Sequence, residues 1–445
     1  MKNLKFKIII LLILTFLNCG KQISKSCKTN SIIPFSYGNS NYQNANSSSV
    51  STSPSTSTND GSSEEEFVKI DNSATLTNPG KIYLKGNLLY INDIRKGVHI
   101  YNNSNPSNPS KKVFISIPGN VEIAIKDNII FANSIKGLLA IKVYDDYTKV
   151  EITANFSKIL TQYGFFNVSV GMNDWVGMGS DAIGYGETYS GLVKVGENCN
   201  NYEIIPLITG SYYSDNSTTT SSSSGSTGSS GQGGSLSTFA IKGNFLYVLN
   251  YRNVFVLDIE KAEEPSYLNK ISLNSFMETV FLFKEYLMFG ANNGMYIYNI
   301  EDPQTPTYTS KYTHAFACDP VVASGNYAYV TLRAGCASNP TNQLDIIDIS
   351  NISSPSLIKS YEMTSPFGLG IDNNHLFICD TTDGLKIYDV TNPNNINLLA
   401  TKNDMKVYDV ILNPNTSILT GPDGIIQYDY TNINEILKLS TILKE

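Results

Sequence analysis

Apolar and polar positions alternate with a period of two along most of this chain, in short runs separated by turn residues. Gly86-Asn87-Leu88-Leu89-Tyr90-Ile91, Gly243-Asn244-Phe245-Leu246-Tyr247-Val248 and Gly325-Asn326-Tyr327-Ala328-Tyr329-Val330 are copies of one run. Weaker copies are Asp127-Asn128-Ile129-Ile130-Phe131 and Asn373-Asn374-His375-Leu376-Phe377. Each is followed by a second alternating run, often opened by Gly and closed by Asp or Asn, as in Gly97–Asn102, Gly294–Asn299 and Gly384–Asp389. Turn signals come next, at Asn105-Pro106, Asp302-Pro303, Ser354-Pro355 and Asn392-Pro393. Period-two alternation broken by such residues predicts strand-turn-strand units, not amphipathic helices.

The spacing predicts the architecture. With the opening residue of the second run as anchor, copies fall at positions 97, 137, 191, 253, 294, 343, 384 and 424. Once inserts at 214–235, 334–341 and near Gly179–Ser190 are set aside, the steps are about 40 residues, the length of one four-stranded propeller blade. The expectation is an all-β fold: a β-propeller over residues 78–445 with eight blades of four antiparallel strands. The third copy is the most degenerate, and seven blades remain if it is loop. Phe67–Ile70 offers one further strand, which could close the ring beside the last copy.

The second run also resembles the LVIVD repeat, most closely in Leu344-Asp345-Ile346-Ile347-Asp348 and Val254-Phe255-Val256-Leu257-Asp258. Cys318-Asp319-Pro320-Val321-Val322 and Gly368-Leu369-Gly370-Ile371-Asp372 are similar to segments of LVIVD-repeat lipoproteins. The resemblance implies a propeller and brings no general activity with it.

Composition narrows the class. Lys and Arg total 32 against 39 Asp and Glu, a formal charge of −7, which excludes the basic face of a nucleic-acid binder. With 41% apolar residues, 28 Tyr and 19 Phe, the chain carries enough core to exclude wholesale disorder. The first 18 residues read as a leader: Lys2, Lys5 and Lys7 precede the apolar stretch Ile8–Leu17, far short of the roughly 20 residues that span a bilayer. Its end, Phe16-Leu17-Asn18-Cys19-Gly20, resembles the lipobox of bacterial lipoproteins, with Asn18 in place of the usual small residue. That resemblance implies cleavage before Cys19, its acylation and stable anchoring by more than one chain; the alternative is an ordinary secretory leader. Residues 19–77 read as a disordered tether, rich in Ser, Thr and Asn over Asn39–Glu66. The expected address is the cell envelope. Gly20 carries no retention signal, which favours the outer membrane, on either its periplasmic or its surface side.

Strands A to D of a blade alternate in direction, A being innermost. The A–B and C–D turns therefore lie at one end of the ring and the B–C and D–A loops at the other. All three inserts are expected at the second end, the Ser/Gly tract 214–235 as a disordered surface loop. The three arginines of the chain, Arg95, Arg252 and Arg333, follow strand B in B–C hairpins, and Glu122, Glu278, Asp319 and Asp409 lie near the start of strand A. Arginine forks suit carboxylate or phosphate, so this end could hold a ligand or a partner's charged loop. The plainer reading is hairpin ion pairs at a solvated rim, each worth little. Cys318 and Cys336 are expected to form a disulfide closing the second insert. Cys379 reads as a buried small hydrophobe, and pairing of Cys27 and Cys199 stays open. The aromatics at 90, 131, 247, 289, 329 and 377 share one strand-B position and are expected to pack between blades.

Signals for catalysis are weak. His99, His314 and His375 lie in different copies without ligand spacing, so no metal site, cofactor or catalytic residue is assigned. Gly177-Met178-Gly179-Ser180-Asp181-Ala182 imitates a dinucleotide fingerprint without a βαβ unit around it. The leading expectation is a lipid-anchored, non-catalytic binding or scaffold module engaging a protein, glycan or small ligand. The alternatives are a propeller hydrolase or lyase using carboxylates and Arg around the channel, and a structural or adhesive surface protein.

Overall fold

In each blade strands A and B are joined by a two-residue turn that takes the backbone into the left-handed region. Gly86, Gly243 and Gly325 adopt φ of 55°, 56° and 59° there, and Asp127, Lys284 and Asn373 take the same role at 52° to 53°. Glycine does so without a Cβ penalty, and Asn and Asp tolerate it better than other residues. Strands A and B then pair antiparallel, for example Ile123↔Ala132 and Ile125↔Ile130. The C–D turn has its own local closure. The last residue of strand C accepts the N–H two positions on: Asp258 from Glu260, Asp348 from Ser350, Asp389 from Thr391 and Asp429 from Thr431, at 2.7–2.9 Å. Asn102 and Asn299 do the same. The terminal Asp of the repeat is thus a turn-closing acceptor, and those hydrogen bonds hold Asp348, Asp389 and Asp429 below the usual carboxylate range.

The protein, seen in a computed structural model, is described over residues 28–37, 67–157, 159–160, 189–197, 203–206, 231–314, 320–333, 342–381 and 383–445. Among these residues seven blades form, with A strands Pro79–Lys85, Ile123–Lys126, Phe239–Lys242, Met277–Phe283, Val321–Ser324, Leu369–Asp372 and Asp409–Asn413. Each A strand touches the next in that order, and Asp409–Asn413 returns to Pro79–Lys85, so the ring closes at seven. The eighth blade expected at position 191 is absent from it. Tyr189–Glu197 does form a strand, but it pairs with Lys28–Tyr37 on one side and Glu203–Pro206 on the other, a three-stranded antiparallel sheet in a separate unit. The sheet also gives Lys28–Tyr37 a strand inside the expected tether. Blade two is followed directly by blade three, so the inserts near 179–190 and at 214–235 both lie in one D–A connection.

Ring closure needs no exchanged strand. Lys69–Ile70 pairs with the outer strand of the first blade, Ser110–Ser116, not with the last copy. The seam between blades seven and one is held by side chains instead. Asn103 and Gln427 exchange two amide hydrogen bonds at 2.9 and 2.8 Å, and Thr420 Oγ1 donates to the Gly80 carbonyl at 2.8 Å. Ile82, Leu84, Leu89 and Ile91 pack there against Ile411, Ile418 and Ile425. That seam shares one device with two others, a strand-D side chain donating to a carbonyl in the next C–D turn: Ser440 to Pro106 here, Ser310 to Ile352 and Lys359 to Asn394 elsewhere.

The core is a set of interblade layers. Tyr90, Phe131, Tyr247, Phe289, Tyr329 and Phe377, the shared strand-B position, are all buried, each worth roughly 1.5–3 kcal/mol of burial. Phe289 meets Tyr298 edge-on at 5.4 Å, and Phe377 meets Tyr430 at 4.9 Å. Cys379 is buried and free, and burial pushes its thiol pKa up. His99 is buried as well, stacked on Phe114 at 4.4 Å with Nε2 3.5 Å from Asp93.

Candidate functional site

The B–C and D–A loops converge on one end of the ring, where the structure brings two of the expected acids onto a single stretch of chain. The free edge of strand A in blade one faces the channel. Gln232–Gly233, from the end of the Ser/Gly tract, adds to it antiparallel, Gln232 opposite Leu84 and Gly233 opposite Tyr83. The chain then turns at Gly234, whose carbonyl accepts the Ser237 N–H at 3.1 Å, and enters blade three at Phe239. Gly231–Thr238 thereby meets the inner strands of blades one, two, four, six and seven. Its last-but-one carbonyl, that of Ser237, accepts the Val280 N–H of blade four at 2.8 Å. The final residues of the tract, 231–235, are therefore not surface loop: Ser235 is 4% exposed.

Two buried carboxylates receive this segment. Asp409, opening strand A of blade seven, accepts the Ser235 N–H at 3.1 Å, the Ser235 hydroxyl at 2.9 Å and the Leu236 N–H at 3.3 Å. The Ser235 hydroxyl in turn accepts the Leu369 N–H of blade six at 2.9 Å. Glu122, just before strand A of blade two, accepts both the N–H and the hydroxyl of Thr238 at 2.7 Å. Lys81, on strand A of blade one, forms an ion pair with Glu122. Burial pushes the Asp409 carboxyl up to about 6, against the opposing hydrogen bonds from Ser235, Val410 and Leu236 and the positive charge of Lys81.

The arginines serve a different arrangement. Arg333 is 7% exposed and lies over the Phe367 ring at 3.8 Å, and Phe367 packs on Tyr408 at 5.2 Å. This stack adjoins the acid site, because Gly368 donates to the Tyr408 carbonyl at 2.8 Å and Asp409 follows Tyr408. Arg252 repeats the motif in the open: exposed, it lies over the Phe276 ring at 4.0 Å, and Phe276 is itself 40% exposed. Arg95 sits at the tip of its hairpin with φ 67°, its N–H bonded to the Asn120 carbonyl at 2.6 Å. Glu278 is half-buried on the inner strand of blade four. Asp319, Cys318, Cys336, Cys19, Cys27, Cys199 and the Gly177–Ala182 motif lie outside the described residues.

Sequence reasoning missed Lys81, Gly234, Ser235 and Thr238. The available signal was composition: Leu236 and Phe239 end the small-residue tract with apolar side chains. No group of three or more His, Cys, Asp or Glu able to hold a metal is present among the described residues.

Seven four-stranded antiparallel blades closed about a channel make this protein a β-propeller. Three of the blades carry LVIVD repeats: that family matches residues 79–114, 317–363 and 368–404, in blades one, five and six. None of the curated proteins compared with it matches the chain. Among solved structures it is similar to the computationally designed Ika8 protein, at 10% identity over 84% of this chain and 90% of that one, with a TM-score of 0.49. It is also similar to the Pan2 WD40 domain of Neurospora crassa, at 9% identity over 78% and 86% with a TM-score of 0.47. BamB from Moraxella catarrhalis gives 7% identity over 77% and 81% and a TM-score of 0.44.

Proposed function

We propose that this protein is a lipid-anchored envelope propeller that acts as a non-catalytic binding or scaffold module through its B–C and D–A end. One observation carries the reading: Arg252 and Phe276 form a cation–aromatic pair exposed together at that end. A planar cation beside an open ring is the surface chemistry enriched in recognition patches, and it suits a partner's carboxylate or aromatic side chain. The channel carboxylates support binding over catalysis, because Glu122 and Asp409 are engaged by backbone N–H groups of Gly231–Thr238. A hydrolase or lyase would need those acids turned toward a substrate. Acylation of Cys19, as the lipobox-like leader implies, would hold the propeller at the membrane, with the outer membrane preferred.

Two measurements test this. Photo-crosslinking from the B–C/D–A end in intact envelopes should give a discrete adduct that Arg252→Ala and Phe276→Ala abolish; an unchanged adduct would reject that pair. Cys19→Ala should shift the protein from the membrane to the soluble fraction, and retention on the membrane would reject the lipid anchor. Protease shaving of intact cells then separates surface from periplasmic exposure.

A further inference from the structure

The channel mouth contains features of a binding site whose ligand is already in place. A segment of this chain adds to the open edge of a channel-lining strand, which is the geometry by which extended peptides are recognised on exposed sheet edges. The groups that receive it come from blades far apart in sequence. They contact main-chain N–H groups and hydroxyls, not large side chains. Glycine is demanded at defined places: a Cβ on residue 234 would lie 2.0 Å from Asp409 Oδ2, and one on residue 231 would lie 2.4 Å from the Leu84 carbonyl oxygen. Ser235 is read on both sides, donating to Asp409 and accepting from Leu369.

We propose that the channel mouth is a peptide-binding site, occupied here in cis by Gly231–Thr238, whose ligands are extended peptides of the pattern Gly-x-Gly-Gly-Ser-x-Ser-Thr. Backbone pairing to Tyr83 and Leu84 supplies affinity, the two carboxylates select uncharged N–H and hydroxyl donors, and the close approaches at 231 and 234 exclude side chains. The site is separate from the Arg252–Phe276 rim and stands or falls without it. In the intact chain the tethered segment competes at the high effective concentration of an intramolecular ligand, so the wild-type protein resists the same peptide added from solution.

The experiment uses the full chain and a fluorescent synthetic peptide, Gly-Gln-Gly-Gly-Ser-Leu-Ser-Thr. Gly234→Ala should expel the tethered segment and bind the peptide, with wild type roughly 100-fold weaker. Adding Glu122→Ala, which removes the acceptor of the terminal Thr and leaves the clash at residue 234 in place, should abolish binding, as should Ala at the fourth position of the peptide. Hydrogen exchange supplies the second readout: in Gly234→Ala the amides of Ser235, Leu236 and Thr238 should lose protection while the strand amides of all seven blades keep theirs. Ser235→Ala, which removes the hydroxyl contacts without a clash, should show the same pattern to a smaller degree. A folded Gly234→Ala protein that fails to bind the peptide would overturn the proposal. So would loss of protection throughout the blades in both variants, since the segment would then be an integral part of the ring.

Discussion

The two ends of the ring are built by opposite means. At the A–B and C–D end, closures link residues two positions apart, and the Asp258, Asp348, Asp389 and Asp429 turns repeat one solution in four blades. At the other end the decisive hydrogen bonds link residues 116, 134 and 174 positions apart and occur once each. The acids differ accordingly. The turn carboxylates of Asp348, Asp389 and Asp429 lie near solvent and their pKa values fall, whereas Asp409 is buried and its value rises. One end is therefore a repeated local structure, and the other exists only once the ring is assembled. A repeat protein thus keeps its scaffold in the regular end and has room for specificity in the irregular one.

The comparison can be broken most severely from the channel. Asp409→Ala leaves the Ser235 and Leu236 N–H groups buried without their acceptor, and Glu122→Ala does the same for Thr238 while removing the partner of Lys81. Each should cost about 2–4 kcal/mol, read by denaturant titration and by loss of amide protection at 235–238. Next, Arg333→Ala removes a buried guanidinium stacked over the Phe367 ring, and should cost about 2 kcal/mol. Arg252→Ala, the exposed counterpart, should change stability by no more than about 0.5 kcal/mol.

Acidity should then separate the ends by sign. With its folded pKa raised to about 6, Asp409 binds its proton more tightly in the folded state. Its contribution is complete below the unfolded value of about 4 and is lost as pH rises through 6. Protection of the 235 and 236 amides, corrected for intrinsic exchange, should decline across that window, and Asp409→Asn should flatten the decline. Lys81 and Glu122 face the same site, so the comparison is made in that variant alone. Asp348, Asp389 and Asp429 behave oppositely: their contribution is present above about pH 4 and is lost as pH falls below it. The smallest effects belong to these turns. Asp348→Ala, Asp389→Ala and Asp429→Ala should each lower Tm by no more than about 2 °C, and the three should add, being distant and independent.

Much of the ring was legible in advance. The Leu88–Asp93 and Gly97–Asn102 runs became strands B and C of blade one, and every copy with a Gly-Asn type turn became a blade. Gly191-Leu192-Val193-Lys194-Val195 alternates just as well and also became a strand, yet it pairs with Lys28–Tyr37 and not within the propeller. Alternation specifies a strand and its two faces, not its partner. Of the candidate residues, Glu122 and Asp409 do meet at one site, while Arg333 and Arg252 turned to the aromatics Phe367 and Phe276. Those rings come from D–A loops, whose sequences share no period that would have placed them beside an arginine.

By itself the chain determined where its strands run, how each turn closes and roughly how many copies there are, because those properties depend on side chains and backbone within a few positions of one another. Only the tertiary structure decided that seven copies close the ring and that Gly231–Thr238 fills its mouth. Small polar residues have little conformational preference of their own, so their path is set by acceptors such as Glu122 and Asp409, more than a hundred residues away in either direction.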